Sequence, residues 1–189
     1  ENRSGFVFSE GCGIVVLESL SHARRRDAHL YCEIMGYASS SDAYHVAALD
    51  PTAEGAIRSM RGALRDAHCS SDQIDYINAH GTSTQANDTM ETVAIKQVLG
   101  EKAYNTPVSS TKSMLGHALA GSGAIEVVIC AKALTQKIIP PTINLDTPGE
   151  GCDLDYVPHY AREYPGLRTV LSNSFGLGGQ NATIILQSV

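Results

Sequence analysis

Apolar residues recur along this chain with two different periods. In "TAEGAIRSMRGALRDAH" (52–68), Ala53, Ala56, Ile57, Met60, Ala63, Leu64 and Ala67 fall at the i, i+3, i+4, i+7 spacing of one helical face, so the pattern predicts a helix. "GIVVLES" (13–19) and "LYCEIMGYAS" (30–39) are instead short runs rich in apolar and β-branched residues and predict strands, with "SLSHARRRDA" (19–28) as a crossover helix between them. "IDYINAHG" (74–81) reads as a strand running into a glycine turn. "DTMETVAIKQVLG" (88–100) opens with Asp88 and Glu91 at capping-box spacing and stops at Gly100, which predicts a helix over that range. A short strand from Pro107 to Ser110 leads into "SSTKSMLGHALAGSGAIE" (109–126), whose helix is expected to continue through "AIEVVICAKALTQ" (124–136). The consecutive prolines of "IIPPTINLD" (138–146) force an extended segment. "RTVLSNSF" (168–175) and "ATIILQS" (182–188) flank "GLGGQN" as a terminal hairpin. Strands alternating with helices, then a hairpin, predict an α/β layered domain with a mixed sheet.

Composition narrows the classes. A length of 189 residues suits one domain over 1–189, and 43% hydrophobic against 18% charged residues excludes a disordered chain. The net charge of -6 argues against a nucleic-acid partner, and the one basic run, Arg24-Arg25-Arg26, is expected on a solvated helix face. Five cysteines without a CxxC pair fit neither a disulfide framework nor a zinc ribbon, so a reducing, cytoplasmic compartment is expected. No apolar run reaches the roughly 18 residues of a membrane span. The chain starts at Glu1 without an initiator methionine, and is expected to be cut from a longer one.

Two familiar site patterns fail. "GHALAGS" (116–122) has phosphate-loop spacing with Ser122 where the lysine belongs, and "GLGG" (176–179) precedes a strand, not a helix. His80 and His117 remain, each in a glycine-bounded polar setting at a predicted element end, where function and simple structural roles are both open. Zinc would need a third ligand at closer spacing, so no metal is expected. The combination of the two histidines with Lys112 and the hydroxyl-rich turn "AHGTST" (79–84) favours chemistry.

In order along the chain, "NAHGTST" (78–84), "SSTKSMLGH" (109–117), "PPTINLD" (140–146) and "SNSFGLGG" (172–179) resemble the β-ketoacyl-acyl-carrier-protein synthases, within the thiolase superfamily. The resemblance covers essentially the whole chain and is nearest in flavour to synthase II. It implies a thiolase-like layered fold, with a mixed five-stranded sheet, helices on both faces and the C-terminal hairpin. It further implies the C-terminal half of an elongating condensing enzyme, which joins a malonyl unit to an enzyme-bound acyl thioester by decarboxylative Claisen condensation.

By that resemblance His80 and His117 donate hydrogen bonds to the developing thioester oxyanion, Lys112 keeps the imidazoles neutral, and Glu126 pairs with the lysine. In an unbroken helix Glu126 would face away from His117. Gly116, Gly121 and Gly123 are expected to allow close backbone approach. Thr82 and Thr84 match threonines that bind the phosphopantetheine arm, with turn-stabilising hydroxyls as the other reading. Phe175, Gly176, Leu177 and Gly178 match a gating turn, Leu177 standing where the family usually has Phe.

The reactive cysteine belongs to the N-terminal half. None of Cys12, Cys32 and Cys130 has its setting, and Cys12 is expected as a small core residue leading into a strand. No cofactor is implied beyond the phosphopantetheine of the acyl carrier protein. The implied partners are that carrier protein, the N-terminal half and a second copy in a homodimer; the isolated chain is expected to be inactive. A polyketide ketosynthase and a non-catalytic, chain-length-factor-like partner are the alternatives. The retained histidines and lysine favour the enzyme, and the His/His pair favours a decarboxylating one.

Overall fold

The computed structural model describes residues 1–189. A five-stranded mixed sheet organises the chain, with strand order β1-β7-β6-β2-β3. Its members are β1 (Glu33–Ser41), β2 (Tyr76–Asn78), β3 (Val108–Ser109), β6 (Thr169–Gly176) and β7 (Gln180–Gln187). The β6–β7 hairpin and the β1–β7 pair are antiparallel, whereas β2 runs parallel to both β6 and β3. A separate two-stranded sheet joins β4 (Ile138–Ile139) to β5 (Arg162–Glu163).

Alternation along β6 and β7 divides the core in two, because successive side chains point to opposite faces. Leu171, Phe175 and Ile185 face α2 (Glu54–Asp66) and α3 (Gln85–Leu99), where Ile57, Met60, Ala63, Ala94 and Ile95 complete the larger cluster. Val170 and Leu186 face the opposite way, onto Cys130, Ala133 and Leu134 of α5 (Ser122–Gln136). Helices therefore cover both faces, as the resemblance implied.

Three local expectations give way. Residues 13–18 form no strand: Ile14 and Val16 are 82% and 81% exposed, and the run pairs with no strand of this chain. The short helix α1 (Leu20–Arg25), capped by the Ser19 hydroxyl, consequently crosses between no strands, though Arg24 to Arg26 are solvated as expected. The helix expected from Asp88 starts a turn earlier, because Thr84 accepts the Asn87 N–H and is the true N-cap. The helix expected to run unbroken into 136 is interrupted: α4 (Lys112–Leu115) ends at Gly116, which takes φ +74, and α5 begins only at Ser122. No helix is long and apolar enough to cross a membrane.

Candidate active site

The ends of parallel β2 and β3 deliver the chemical residues. His80 lies two residues past β2, is 6% exposed, and packs its ring edge-on to His117 at 5.5 Å between centroids and against Phe175 at 5.6 Å. Its backbone is held from beneath. The N–H groups of His80 and Gly81 donate to Oε1 and Oε2 of Glu91, both at 2.9 Å, and Glu91 is itself buried in α3. Spacing had marked Glu91 only as a helix cap; its partners lie ten and eleven residues upstream, a link no local pattern carries.

His117 follows the sharp turn at Gly116. Its N–H donates to the Val7 carbonyl at 2.7 Å, and its own carbonyl accepts from Ser9 N–H at 3.1 Å, so the N-terminal segment grips it like a short strand. The Leu119 N–H donates to Nδ1 at 3.2 Å, with the Ser122 hydroxyl 3.0 Å from the same atom. A backbone N–H can only donate, so Nδ1 carries the lone pair and the neutral ring holds its proton on Nε2.

Lys112 opens α4 and forms a buried ion pair with Glu126, in the second turn of α5. The break after Leu115 brings these groups together across fourteen residues. Burial pushes the Glu126 carboxyl up to about 7 against the opposing pull of Lys112. Burial holds His80 well below the ordinary imidazole value, helped by the Lys112 charge and by His117; burial and Lys112 lower His117 too. Both rings are thus kept neutral near pH 7, poised to donate one hydrogen bond each. A cavity of about 720 Å³ opens on His117, Lys112 and Thr82. It meets His80 through the flanking Ala79 and Gly81, not through its ring.

Residues 31–146 match the family described as "Beta-ketoacyl synthase, C-terminal domain". The chain belongs to the β-ketoacyl synthase family. It is 52% identical over its whole length to 3-oxoacyl-[acyl-carrier-protein] synthase 2 of Coxiella burnetii, of which it covers 45%. It is 50% identical over 97% of its length to a putative polyketide β-ketoacyl synthase 1 of Streptomyces halstedii, covering 43% of that protein. A solved type II polyketide acyl carrier protein in complex with its ketosynthase, bound to a hexaketide, superimposes with a TM-score of 0.97 at 46% identity; the match covers all of this chain and 46% of that one. The chain thus spans a little under half the length of the curated relatives it matches.

The remaining sites of this β-ketoacyl synthase chain fall in different places. Thr82 lines the cavity, and its hydroxyl lies 2.9 Å from that of Thr84. Thr84 caps α3 and does not line the cavity, so its hydroxyl already has the turn-stabilising use. Phe175 is buried against His80, whereas Gly176, Leu177 and Gly178 are exposed at the hairpin tip, Leu177 at 79%. The tip is tied down by Gly178 N–H donating to the Val46 carbonyl and Asp42 N–H to the Gly179 carbonyl, each at 2.8 Å. Gly116 and Gly121 do permit close approach: a Cβ there would sit 2.9 Å from the Val7 carbonyl oxygen and 2.8 Å from that of Gly11. Gly123 does not, its nearest neighbour being the Ser174 hydroxyl at 3.9 Å. Cys12 is exposed, not the core residue expected, because the strand that was to bury it is absent; Cys130 is fully buried in α5 and Cys32 half-buried.

Proposed function

We propose that this chain is the C-terminal part of an elongating β-ketoacyl-acyl-carrier-protein synthase, supplying His80, His117 and Lys112 to a site completed by a nucleophilic cysteine in an N-terminal half. The observation that carries the reading is the pair of neutral imidazoles 5.5 Å apart beside a buried lysine–glutamate pair. The malonyl thioester, brought in on the phosphopantetheine of an acyl carrier protein, loses CO2 as its carboxylate C–C bond breaks. The electron pair moves into an enolate whose oxygen gains negative charge. His117, with its proton on Nε2, donates to that oxygen, and His80 donates beside it; neither has to give up its proton. The enolate carbon then attacks the acyl–cysteine thioester and the thiolate leaves.

Lys112 acts through its field. It disfavours a second positive charge on either imidazole and leaves them as donors without turning them into acids. Glu126 holds the ammonium in place. Thr82 on the cavity wall suits the pantetheine arm, and Phe175 against His80 suits a gate, with Leu177 in place of the family's Phe giving a smaller tip. The exposed apolar side chains of Phe6 to Phe8 and of Ile14 to Leu17 support an N-terminal half packed over them. A homodimer and a cytoplasmic setting, the latter in keeping with five unpaired cysteines, complete the proposal. The polyketide relatives at about 50% identity favour one second reading, a polyketide ketosynthase, which products of repeated condensation without reduction distinguish.

The test is decarboxylation and condensation of malonyl-carrier protein by the full synthase, or by its two halves combined. His117→Ala is expected to lower the decarboxylation rate by about 10²–10³, the usual effect of losing one oxyanion donor. Unchanged turnover in that variant overturns the role given to His117.

A further inference from the structure

Behind Glu91 a second set of buried polar side chains runs away from the imidazoles toward α2. Asn173 on β6 stands directly opposite Thr183 on β7, so their side chains share the sheet face covered by α2 and α3. Asn173 Nδ2 lies 3.2 Å from Glu91 Oε1, and Thr183 Oγ1 lies 2.9 Å from Asn173 Oδ1. Ser59 Oγ, on α2, is 3.0 Å from Thr183 Oγ1 and 2.9 Å from the Ala56 carbonyl. None of the four side chains belongs to a residue more than 3% exposed, so each polar atom depends on protein partners.

Counting protons gives this row a direction. Glu91 accepts from His80 N–H and Gly81 N–H, with the Asn173 and Asn87 amides at 3.2 and 3.4 Å as further donors. The two backbone N–H groups can only donate, and as a carboxylate Glu91 has no proton to give, so Asn173 must turn its NH2 toward Glu91 and its carbonyl toward Thr183. That carbonyl can only accept, which commits the single Thr183 proton to it. Ser59 is left to donate to Thr183 or to Ala56.

The geometry points to Thr183 as a positioning residue for the His80 loop: its hydroxyl locks the Asn173 amide in the orientation that holds Glu91, and Glu91 holds the backbone of His80 and Gly81. Thr183 touches neither imidazole and acts through two intervening side chains. Valine would fill the same space and suit a strand equally well. It would leave the buried Asn173 carbonyl without the Thr183 donor that fixes it, so the amide would hold Glu91 only against the cost of that unpaired acceptor. The effect on turnover rests on the catalytic reading of His80 above; the structural link from Thr183 to the loop does not.

The experiment uses the full synthase and two measurements. Hydrogen exchange read by mass spectrometry over residues 79–84 reports the His80 and Gly81 amides. The rate of malonyl decarboxylation across pH reports the chemistry. Thr183→Val is expected to speed exchange of those amides about tenfold, the size of one buried hydrogen bond, and to lower kcat by a similar factor with KM unchanged. Thr183→Ser, which keeps the hydroxyl, is expected to restore both relative to Thr183→Ala, which lacks the same methyl; this second pair serves if the valine variant does not fold. Ser59→Ala is expected to leave exchange at His80 unchanged, since the Thr183 proton is already committed; acceleration equal to that of Thr183→Val overturns the assigned direction. Unaltered exchange when the hydroxyl is removed overturns the positioning role whatever the rate does. Faster exchange with unaltered decarboxylation and pH profile sustains the link and overturns the catalytic reading of His80 instead.

Discussion

His117 can donate from Nε2 only while Nδ1 keeps its lone pair, and the Leu119 N–H aimed at Nδ1 makes protonation there costly. Burial and the Lys112 charge hold both rings neutral, His80 the more strongly, being the more deeply buried and also facing His117. The signs of linkage at this site oppose one another. The folded imidazoles titrate below the unfolded value of 6.5, so their contribution to stability is full above that pH and is lost as pH falls through the folded values. Glu126 titrates at about 7 against 4.5, so its contribution is full below 4.5 and is lost as pH rises through 7. Between pH 7 and 5 the carboxyl therefore offsets the histidines. Glu126→Gln removes the offset, and urea unfolding of the variant is expected to show stability falling more steeply from pH 7 to 5 than in the parent. The difference amounts to about 3 kcal/mol at most over the full span, at 1.36 kcal/mol per unit. Equal slopes would mean that Glu126 stays ionised throughout. At this scale the sequence was partly legible: His80, His117, Lys112 and Glu126 could be picked out by type and order. Glu91 and Thr183 could not, since their partners are brought near by the sheet and α3.

Among the elements, the stretch from Lys112 to Glu126 shows what three glycines do when they look alike in sequence. Gly116 takes a left-handed φ of +74 and faces Val7 and Ser9, where a Cβ would fall 2.9 Å from a carbonyl oxygen and 2.8 Å from the Ser9 Cβ. Gly123 sits in the first turn of α5 with nothing nearer than 3.9 Å. Gly116→Ala is accordingly expected to destabilise the protein by about 1–3 kcal/mol, the cost of a strained backbone position, and to loosen the hydrogen bonds that hold His117 to Val7 and Ser9. Gly123→Ala is expected to be neutral or to stabilise by up to about 1 kcal/mol through helix propensity. Paired thermal melts decide it, and equal losses in the two variants would remove the distinction. Hydrophobic period located α2 and the C-terminal hairpin to within a few residues because each is stabilised by a continuous apolar face. It misplaced the start of α3, where a threonine hydroxyl four residues before Asp88 does the capping, and it ran through the break between α4 and α5, which exists because the chain turns to meet residues 7–11.

Across the whole molecule, the two cores on either face of the sheet are complete, yet Val7, Phe8, Ile14, Val16 and Leu17 stand 69–82% exposed along one N-terminal run. Alternating or continuous apolar residues signal a surface that is to be covered; they do not say by what. That is why "GIVVLES" reads as a strand and still finds no partner here. The backbone of this run is held at several points, Val7 and Ser9 on His117, Gly11 against Gly121 and Gly13 on Ala124, while its apolar side chains stay open. If an N-terminal half covers it, a charge placed there acts on assembly and not on the fold of this part. Ile14→Asp with Val16→Asp is expected to leave the thermal melt of this chain unchanged, since neither side chain contributes to its cores. The same double change in the two-half synthase is expected to abolish co-purification of the halves, because burying two unpaired carboxylates costs several kcal/mol each. Co-purification undiminished by the double change would mean that the run faces solvent in the assembled enzyme as well. A lowered melt of this chain alone would mean that the run helps to hold this domain together.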